Sequence, residues 1–206
     1  MLTDNQIKEL SKKMNFPLAG VYFKDELPRK LEYNKSYVIN LEDGTDEEGN
    51  QNDGSHWTAL QVNKYPNGNI EPIFFDPYGA PPSENIKKFV LNNCGKKLPY
   101  TEKDIQSLLN NACGWYCCAF LHYINAWEHR SKDLYADVSL FLDYFDDLNK
   151  SIDWKKNEYI LKMFFQSADP TKRNEIDVIS STHNITEQDT GKGINLMKLP
   201  VDVNYI

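Results

Sequence analysis

The stretch "NNACGWYCCAFLHYIN" (residues 110–125) constrains this chain more than any other. Nearly every position from Ala112 onward is apolar or aromatic. A helix with no polar face cannot lie on a surface, so this one must be central and covered on all sides. The pattern predicts a helix starting near Cys113 and running to about Arg130. The rest of the chain must then supply the cover. At 206 residues it is long enough for one domain with a real core and too short for two full ones. With 40% hydrophobic and 26% charged residues the composition is that of a globular domain.

Several covering elements are legible. "TDNQIKELSKKM" predicts an amphipathic helix over about Asp4–Met14, with Thr3 and Gln6 as a capping box and Leu2 and Ile7 at staple positions. A short apolar and turn region follows, then a strand at Ser36–Leu41. "EDGTDEEGNQND" reads as a charged, solvated loop that lacks the closing Glu of a calcium loop. Two apolar runs about a Pro-Asn-Gly turn, "HWTALQVNKYPNGNIEPIFFDPYG", predict a hairpin. Ser83–Asn93 predicts a helix with a Ser N-cap, and "KLPYTEKDIQSL" an edge strand, because Pro99 cannot donate to a ladder. Helices are expected near Leu134–Leu148 and Trp154–Phe165, and from Ala168 to Ile206 the chain turns polar. The order predicts an α+β domain over residues 1–167, with a mixed, mainly antiparallel sheet packed on the buried helix. The tail at 168–206 is expected to be weakly ordered or draped on that domain.

Three of the four cysteines, Cys113, Cys117 and Cys118, crowd into the central stretch, and three readings are open for them. A zinc site is poorly served, since ligands on one helix diverge and His122 adds only one partner to Cys118. Burial as small hydrophobes suits Cys117 and Cys118, inside the helix among Trp115, Tyr116, Phe120 and Leu121. Cys113 differs, because Asn110-Asn111 before it and Gly114 after it place it in the first turn. There the positive end of the helix dipole favours a thiolate. Gly114 would leave room for a substrate backbone.

A nucleophile needs a base, an orienting acid and donors for the oxyanion. Of the four histidines, His183 lies in the polar tail, and His122 and His129 lie in or just past the helix. His56 instead opens an apolar strand after a Gly-Ser turn, where a side chain can face a cleft. Asp76 closes the aromatic run on the other hairpin arm, a natural partner for an imidazole Nδ1–H. A two-residue turn at Asn67-Gly68 would set Asp76 opposite Ala59, about three residues or ~10 Å from His56. Pairing the two therefore predicts a hairpin centred near Pro66, a bulge or a wider loop. Gln106, seven residues before Cys113, is the candidate amide for the oxyanion.

His56, Asp76, Gln106 and Cys113 in this order resemble the adenovirus protease (adenain) family, of the clan that includes the SUMO-specific proteases. The matching pieces are "GSHWTAL", "FFDPYG", Gln106 at its spacing and "ACGWYCCAFLHYINAW" with its Cys-Cys pair. "GVYFKDELPRKL" and "WKKNEYILKMFF" also look similar, so the likeness covers about residues 1–167. It implies the adenain-like fold and a cysteine protease with Cys113 as nucleophile, His56 as base and acid, Asp76 as orienter and Gln106 as oxyanion donor. Trp57 then either walls the cleft beside His56 or packs the core.

What the resemblance implies further is processing of viral capsid and core precursors, often after a small residue such as Gly, with no metal or cofactor required. The expected source is a double-stranded DNA virus, a virophage or a Maverick-type element, and the expected location is the host-cell interior and the virion, without secretion. Asp76 stands where adenovirus enzymes carry Glu, although the wider clan uses Asp. The family's activators are DNA and a disulfide-linked viral peptide. A net charge of −7 disfavours nucleic acid as a general partner without excluding a local basic patch, and Cys94 is the candidate anchor for a peptide activator. No window approaches about 18 consecutive apolar residues, so no membrane span is expected. In the tail, "DTGKGIN" offers a self-trimming site after Lys192. Two alternatives stand beside this reading: removal of ubiquitin-like modifiers from host conjugates, and a catalytically silent binding protein on the same scaffold.

Overall fold

In the computed structural model, which describes residues 1–126, 133–150 and 154–165, four strands and five helices form an α+β arrangement. His129, His183, Lys192 and the tail at 168–206 lie outside the described residues. Helix α1 (Asp4–Lys13) begins with the expected capping box, Thr3 accepting from the Gln6 N–H and Gln6 accepting from the Thr3 N–H. Leu2 and Ile7 are both buried in the core beneath it.

The sheet runs in the order β1 (Leu18–Phe23), β2 (Lys35–Asn40), β3 (Trp57–Lys64), β4 (Ile70–Phe75). β1 pairs parallel to β2, and the other two pairs are antiparallel, so the sheet is mixed. The region expected to be only apolar and turn-like therefore contains a strand. Its partners, Ser36 to Asn40, are supplied by a parallel neighbour rather than a hairpin, so no local turn announces it. The expected edge strand over 97–108 reduces to one parallel bridge, Phe74 to Tyr100, flanked by bonds from Phe74 N to Pro99 O (3.0 Å) and Thr101 N to Phe74 O (3.1 Å). Pro99 lacks the N–H that a longer ladder would need.

The alternation of side chains along the strands splits the core in two. Val38, Ala59, Ile73 and Phe75 face helices α1, α3 (Cys113–Asn125), α4 (Leu134–Leu142) and α5 (Trp154–Phe165). Tyr37, Ile39, Leu60, Val62 and Phe74 face α2 (Glu84–Cys94) through Ile86, Phe89 and Val90. α2 starts after Ser83, whose backbone is extended as an N-cap requires but whose side chain makes no cap bond. Every residue of α3 from Cys113 to Ile124 is buried, as its lack of a polar face demands. It stops at Asn125 rather than near Arg130. The Asn125 amide is tied to the Leu121 carbonyl (2.8 Å) and across to Ser36 and Gln61, and Ala126 turns to extended backbone. α4 likewise ends at Leu142, short of Leu148, because Phe145 turns inward to pack on Phe141 at 5.1 Å between ring centroids. Among the described residues, no helix is long and apolar enough to cross a membrane.

Candidate active site

Cys113 is the first residue of α3, and Ala112 before it offers no side-chain cap. The first bonds of the helix run from Trp115 N and Tyr116 N to Ala112 O (2.9 and 3.0 Å). The N–H groups of Cys113 and Gly114 thus precede the helical ladder and sit at its positive end. Cys113 Sγ accepts a hydrogen bond from the Trp57 N–H at 3.4 Å, and His56 lies within hydrogen-bonding reach of the same sulfur. Four residues on, the Cys117 thiol donates to the Trp57 carbonyl at 3.3 Å. One residue at the start of β3 is therefore held by two cysteines one turn apart. Burial pushes the Cys117 and Cys118 thiols well up, and both belong to the core.

His56 and Asp76 meet directly. The imidazole Nε2–H donates to Asp76 Oδ1 at 2.8 Å. This corrects the expected Nδ1 contact and leaves Nδ1 as the nitrogen available to the sulfur. The hairpin solves the register problem with an intermediate geometry. Tyr65 N bonds Asn69 O and Gly68 N bonds Tyr65 O, both at 2.9 Å, around a three-residue loop with Gly68 at φ 85°. This is a turn followed by a left-handed residue, for which Pro66 and Gly68 are well suited. The loop is wider than two residues, as expected, but centres on Asn67 rather than Pro66. With Ala59 opposite Phe75, Asp76 stands opposite Thr58, and side-chain reach covers the remaining offset.

Asp76 is only 1% exposed and locked by its own turn. Its Oδ1 also accepts from Tyr78 N (2.9 Å), and its carbonyl accepts from Gly79 N (2.9 Å). This is an Asx turn built from the "DPYG" letters, with Pro77 at the first corner. Gly79, at φ 70°, has no room for a Cβ, which would lie 2.5 Å from the Glu102 carbonyl oxygen. Burial is the largest single influence on His56 and lowers its pKa. The hydrogen bonds and charges of Asp76 and Cys113 together outweigh it and raise the pKa from 6.5 to about 9. At neutral pH the ring is therefore an imidazolium, bonded to the Asp76 carboxylate and beside the Cys113 sulfur.

Gln106 is brought to the same region and is 1% exposed. Its backbone N–H and that of Ile105 donate to the Pro77 carbonyl (3.2 and 2.9 Å), which ties this loop to the acid turn. The side-chain Nε2 donates to the Tyr78 hydroxyl (3.1 Å) and to the Asn110 carbonyl (3.2 Å). Tyr78 is a site residue that the sequence reading missed. Its ring stacks on His56 with centroids 4.6 Å apart and planes 19° apart. Burial first, then its nearness to Cys113 and Asp76, pushes its hydroxyl up to about 12, so it stays protonated. The signal was present in "DPYG", where an Asx turn directs the residue two after Asp back toward the carboxylate.

The remaining expected residues separate. Trp57 is buried, and its indole N–H donates to the Leu2 carbonyl at 2.8 Å, anchoring the N-terminus. Space over Gly114 is filled by Leu2 and Trp57, since a Cβ there would lie 3.1–3.2 Å from their atoms. The glycine thus admits protein, where the sequence suggested room for a substrate backbone. Cys94 is half-buried at the end of α2 on the other side of the sheet, its thiol donating to Val90 O (3.0 Å). His122 uses Nδ1 on the Met14 carbonyl (2.6 Å), joining α3 to the end of α1. In the acidic loop, Asp46 accepts from the N–H groups of Glu48 and Asn50, closing a turn on itself. No protein-family model matches this chain, and no curated protein matches it.

Proposed function

We propose that this protein is a cysteine endopeptidase with Cys113 as nucleophile, His56 as general base and acid, Asp76 as orienting carboxylate and Gln106 as oxyanion donor. The observation that carries the reading is the join of three separate elements: a thiol at the start of a buried helix, a histidine within reach of it, and a nearly inaccessible carboxylate 2.8 Å from that histidine. Strongly perturbed groups held by a specific charge partner cluster at functional sites.

With the thiol proton carried by His56 as the imidazolium, Cys113 Sγ attacks the scissile carbonyl carbon, and the C=O electrons move onto oxygen. One Gln106 N–H is fixed on the Asn110 carbonyl, so the amide plane is set before substrate arrives. The other N–H, on the neutral Tyr78 hydroxyl, is free to shift to a charged oxyanion, joined by the Cys113 N–H. The imidazolium then protonates the leaving amine as the carbonyl re-forms, leaving a thioester. In its neutral form His56 draws a proton from water, which attacks the thioester and frees Cys113.

By the resemblance to the adenovirus protease family, the substrates are capsid and core precursors of a double-stranded DNA virus or related element, cut during particle maturation. The fold belonging to this reading is the adenain-like one, and the place of action is the infected cell and the virion. Incubating the protein and its Cys113→Ala variant with candidate precursors and with ubiquitin-like conjugates, then mapping new termini, tests it. Cys113-dependent cuts after small residues within precursors are expected. Cuts confined to modifier conjugates would move the protein to the deconjugating class, and absence of any Cys113-dependent cut would overturn the enzyme reading.

A further inference from the structure

Glu158 is a carboxylate at the centre of α5, fully buried, which the proposed chemistry does not use. Its Oε1 accepts from the Asn110 Nδ2. Asn110 in turn makes two bonds that bear on catalysis. Its Oδ1 accepts from the Ala112 N–H (3.2 Å), one residue before Cys113, and its carbonyl accepts from Gln106 Nε2 (3.2 Å). The segment between these contacts carries Leu108 and Leu109, which are 80% and 73% exposed and give it little core packing of its own. Asn110 itself is buried, so a single residue, through its side-chain amide and its main-chain carbonyl, connects a helix 48 residues away to both the oxyanion donor and the start of the nucleophile helix.

We infer that Glu158, acting through Asn110, is a positioning residue for the oxyanion site: it fixes the Asn110 side chain, and with it the residue whose main-chain carbonyl holds the Gln106 side chain and whose Oδ1 holds the Ala112 N–H. This deepens, and rests on, the peptidase reading. A buried acid is a costly anchor unless its function needs one orientation. An apolar side chain at the same place in α5 would avoid that cost but would leave the Asn110 Nδ2 without its acceptor. Burial raises the Glu158 carboxyl to about 7, against the lowering effects of the Asn110 hydrogen bond and the Lys162 charge. Glu158 is therefore about half protonated near neutral pH, and Gln at the same place presents the same oxygen to Asn110.

The test separates oxyanion stabilisation from nucleophile formation. Alkylation of Cys113 by iodoacetamide develops no oxyanion, whereas cleavage of a Gly-containing peptide does. Glu158→Ala and Glu158→Gln are measured in the full chain, with rates per folded molecule from active-site titration. For Glu158→Ala, kcat should fall about 10- to 100-fold, with KM and the alkylation rate each within about threefold, and Glu158→Gln should restore kcat to within about threefold. Amide exchange over residues 106–113 should be faster in the Ala variant and near wild type in the Gln variant. Equal losses in cleavage and alkylation, or an unchanged kcat in Glu158→Ala, would overturn the positioning role. If wild-type protein alkylates at Cys113 but cleaves no peptide, the peptidase reading fails, and the exchange result alone decides whether Glu158 orders the loop; unchanged exchange would remove that too.

Discussion

His56 and Asp76 are held by short-range geometry, whereas Gln106 is held from a distance. The acid sits in a four-residue turn that bonds its own carboxylate to Tyr78 N and closes on Gly79, and the histidine directly precedes a central strand. The proposed oxyanion side hangs on a loop whose leucines are exposed and whose anchors are the Pro77 carbonyl and the Asn110–Glu158 pair. Both halves converge on Cys113, which owes its place to a helix buried on every face. A site built this way tolerates change unevenly. Its proton-transfer half should survive mutation of distant residues, and its oxyanion half should not.

The largest effect expected separates the cysteines of α3. Cys113→Ala should reduce cleavage to background, a loss of roughly 10⁴-fold or more. Cys117→Ala should keep activity per folded molecule within a few-fold and cost about 1–2 kcal/mol in urea unfolding, from a lost buried contact and its bond to Trp57.

Within the short-range half, Asp76→Asn should lower kcat/KM by about 10²- to 10⁴-fold. It should also move the alkaline limb of the pH profile. His56 has a raised pKa of about 9, so its protonated form, which in the proposed mechanism delivers the proton to the leaving amine, is lost as pH rises through about 9. Asp76 is among the groups that raise it, so the limb should move to lower pH in the Asn variant. The stability that His56 contributes is fully present below its ordinary value of 6.5 and lost as pH rises through about 9. Denaturant titrations from pH 6 to pH 10 should show that decline in wild type and a smaller one in Asp76→Asn.

For the long-range half, Gln106→Ala should lower kcat by about 10²- to 10³-fold and leave the alkylation rate of Cys113 nearly unchanged. A parallel loss of alkylation would mean that Gln106 supports the thiol rather than the oxyanion. The smallest effect belongs to the turn itself. Gly79→Ala forces a side chain into a left-handed conformation against the Glu102 backbone and should cost roughly 1–3 kcal/mol of stability, measured by urea unfolding. Because the Asx bond to Tyr78 N does not depend on the Gly79 side, activity at low temperature should stay within about tenfold.

The same division governs what could be read from the letters. The capping box at Thr3 and Gln6, the Pro-Asn-Gly hairpin, the start and full burial of the all-apolar α3 and the bounds of α5 (Trp154–Phe165) are local patterns, and each emerged where the sequence placed it. His56, Asp76, Gln106 and Cys113 were identifiable one by one, and His56, Asp76 and Gln106 are joined by hydrogen bonds through the hairpin and its turn, with Tyr78 as the link to Gln106. β1 escaped because a parallel partner leaves no turn between the strands, and its Gly20 and half-buried pattern mimic a loop. Asn110 and Glu158 escaped for a stronger reason. Nothing local says that an acid in one amphipathic helix will enter the core and meet an asparagine 48 residues earlier. Leu2 over Gly114 is a similar case, since a glycine signals close approach without naming what approaches.

The central claim is that His56 prepares the Cys113 thiol for attack. Site-resolved iodoacetamide labelling at pH 7, comparing Cys113 with the half-buried Cys94 in wild type and in His56→Ala, tests it most directly. Labelling of Cys113 should outpace that of Cys94 by about tenfold or more despite deeper burial, and the excess should vanish in His56→Ala. A Cys113 that labels no faster than Cys94, or one whose rate is indifferent to His56, would contradict the account.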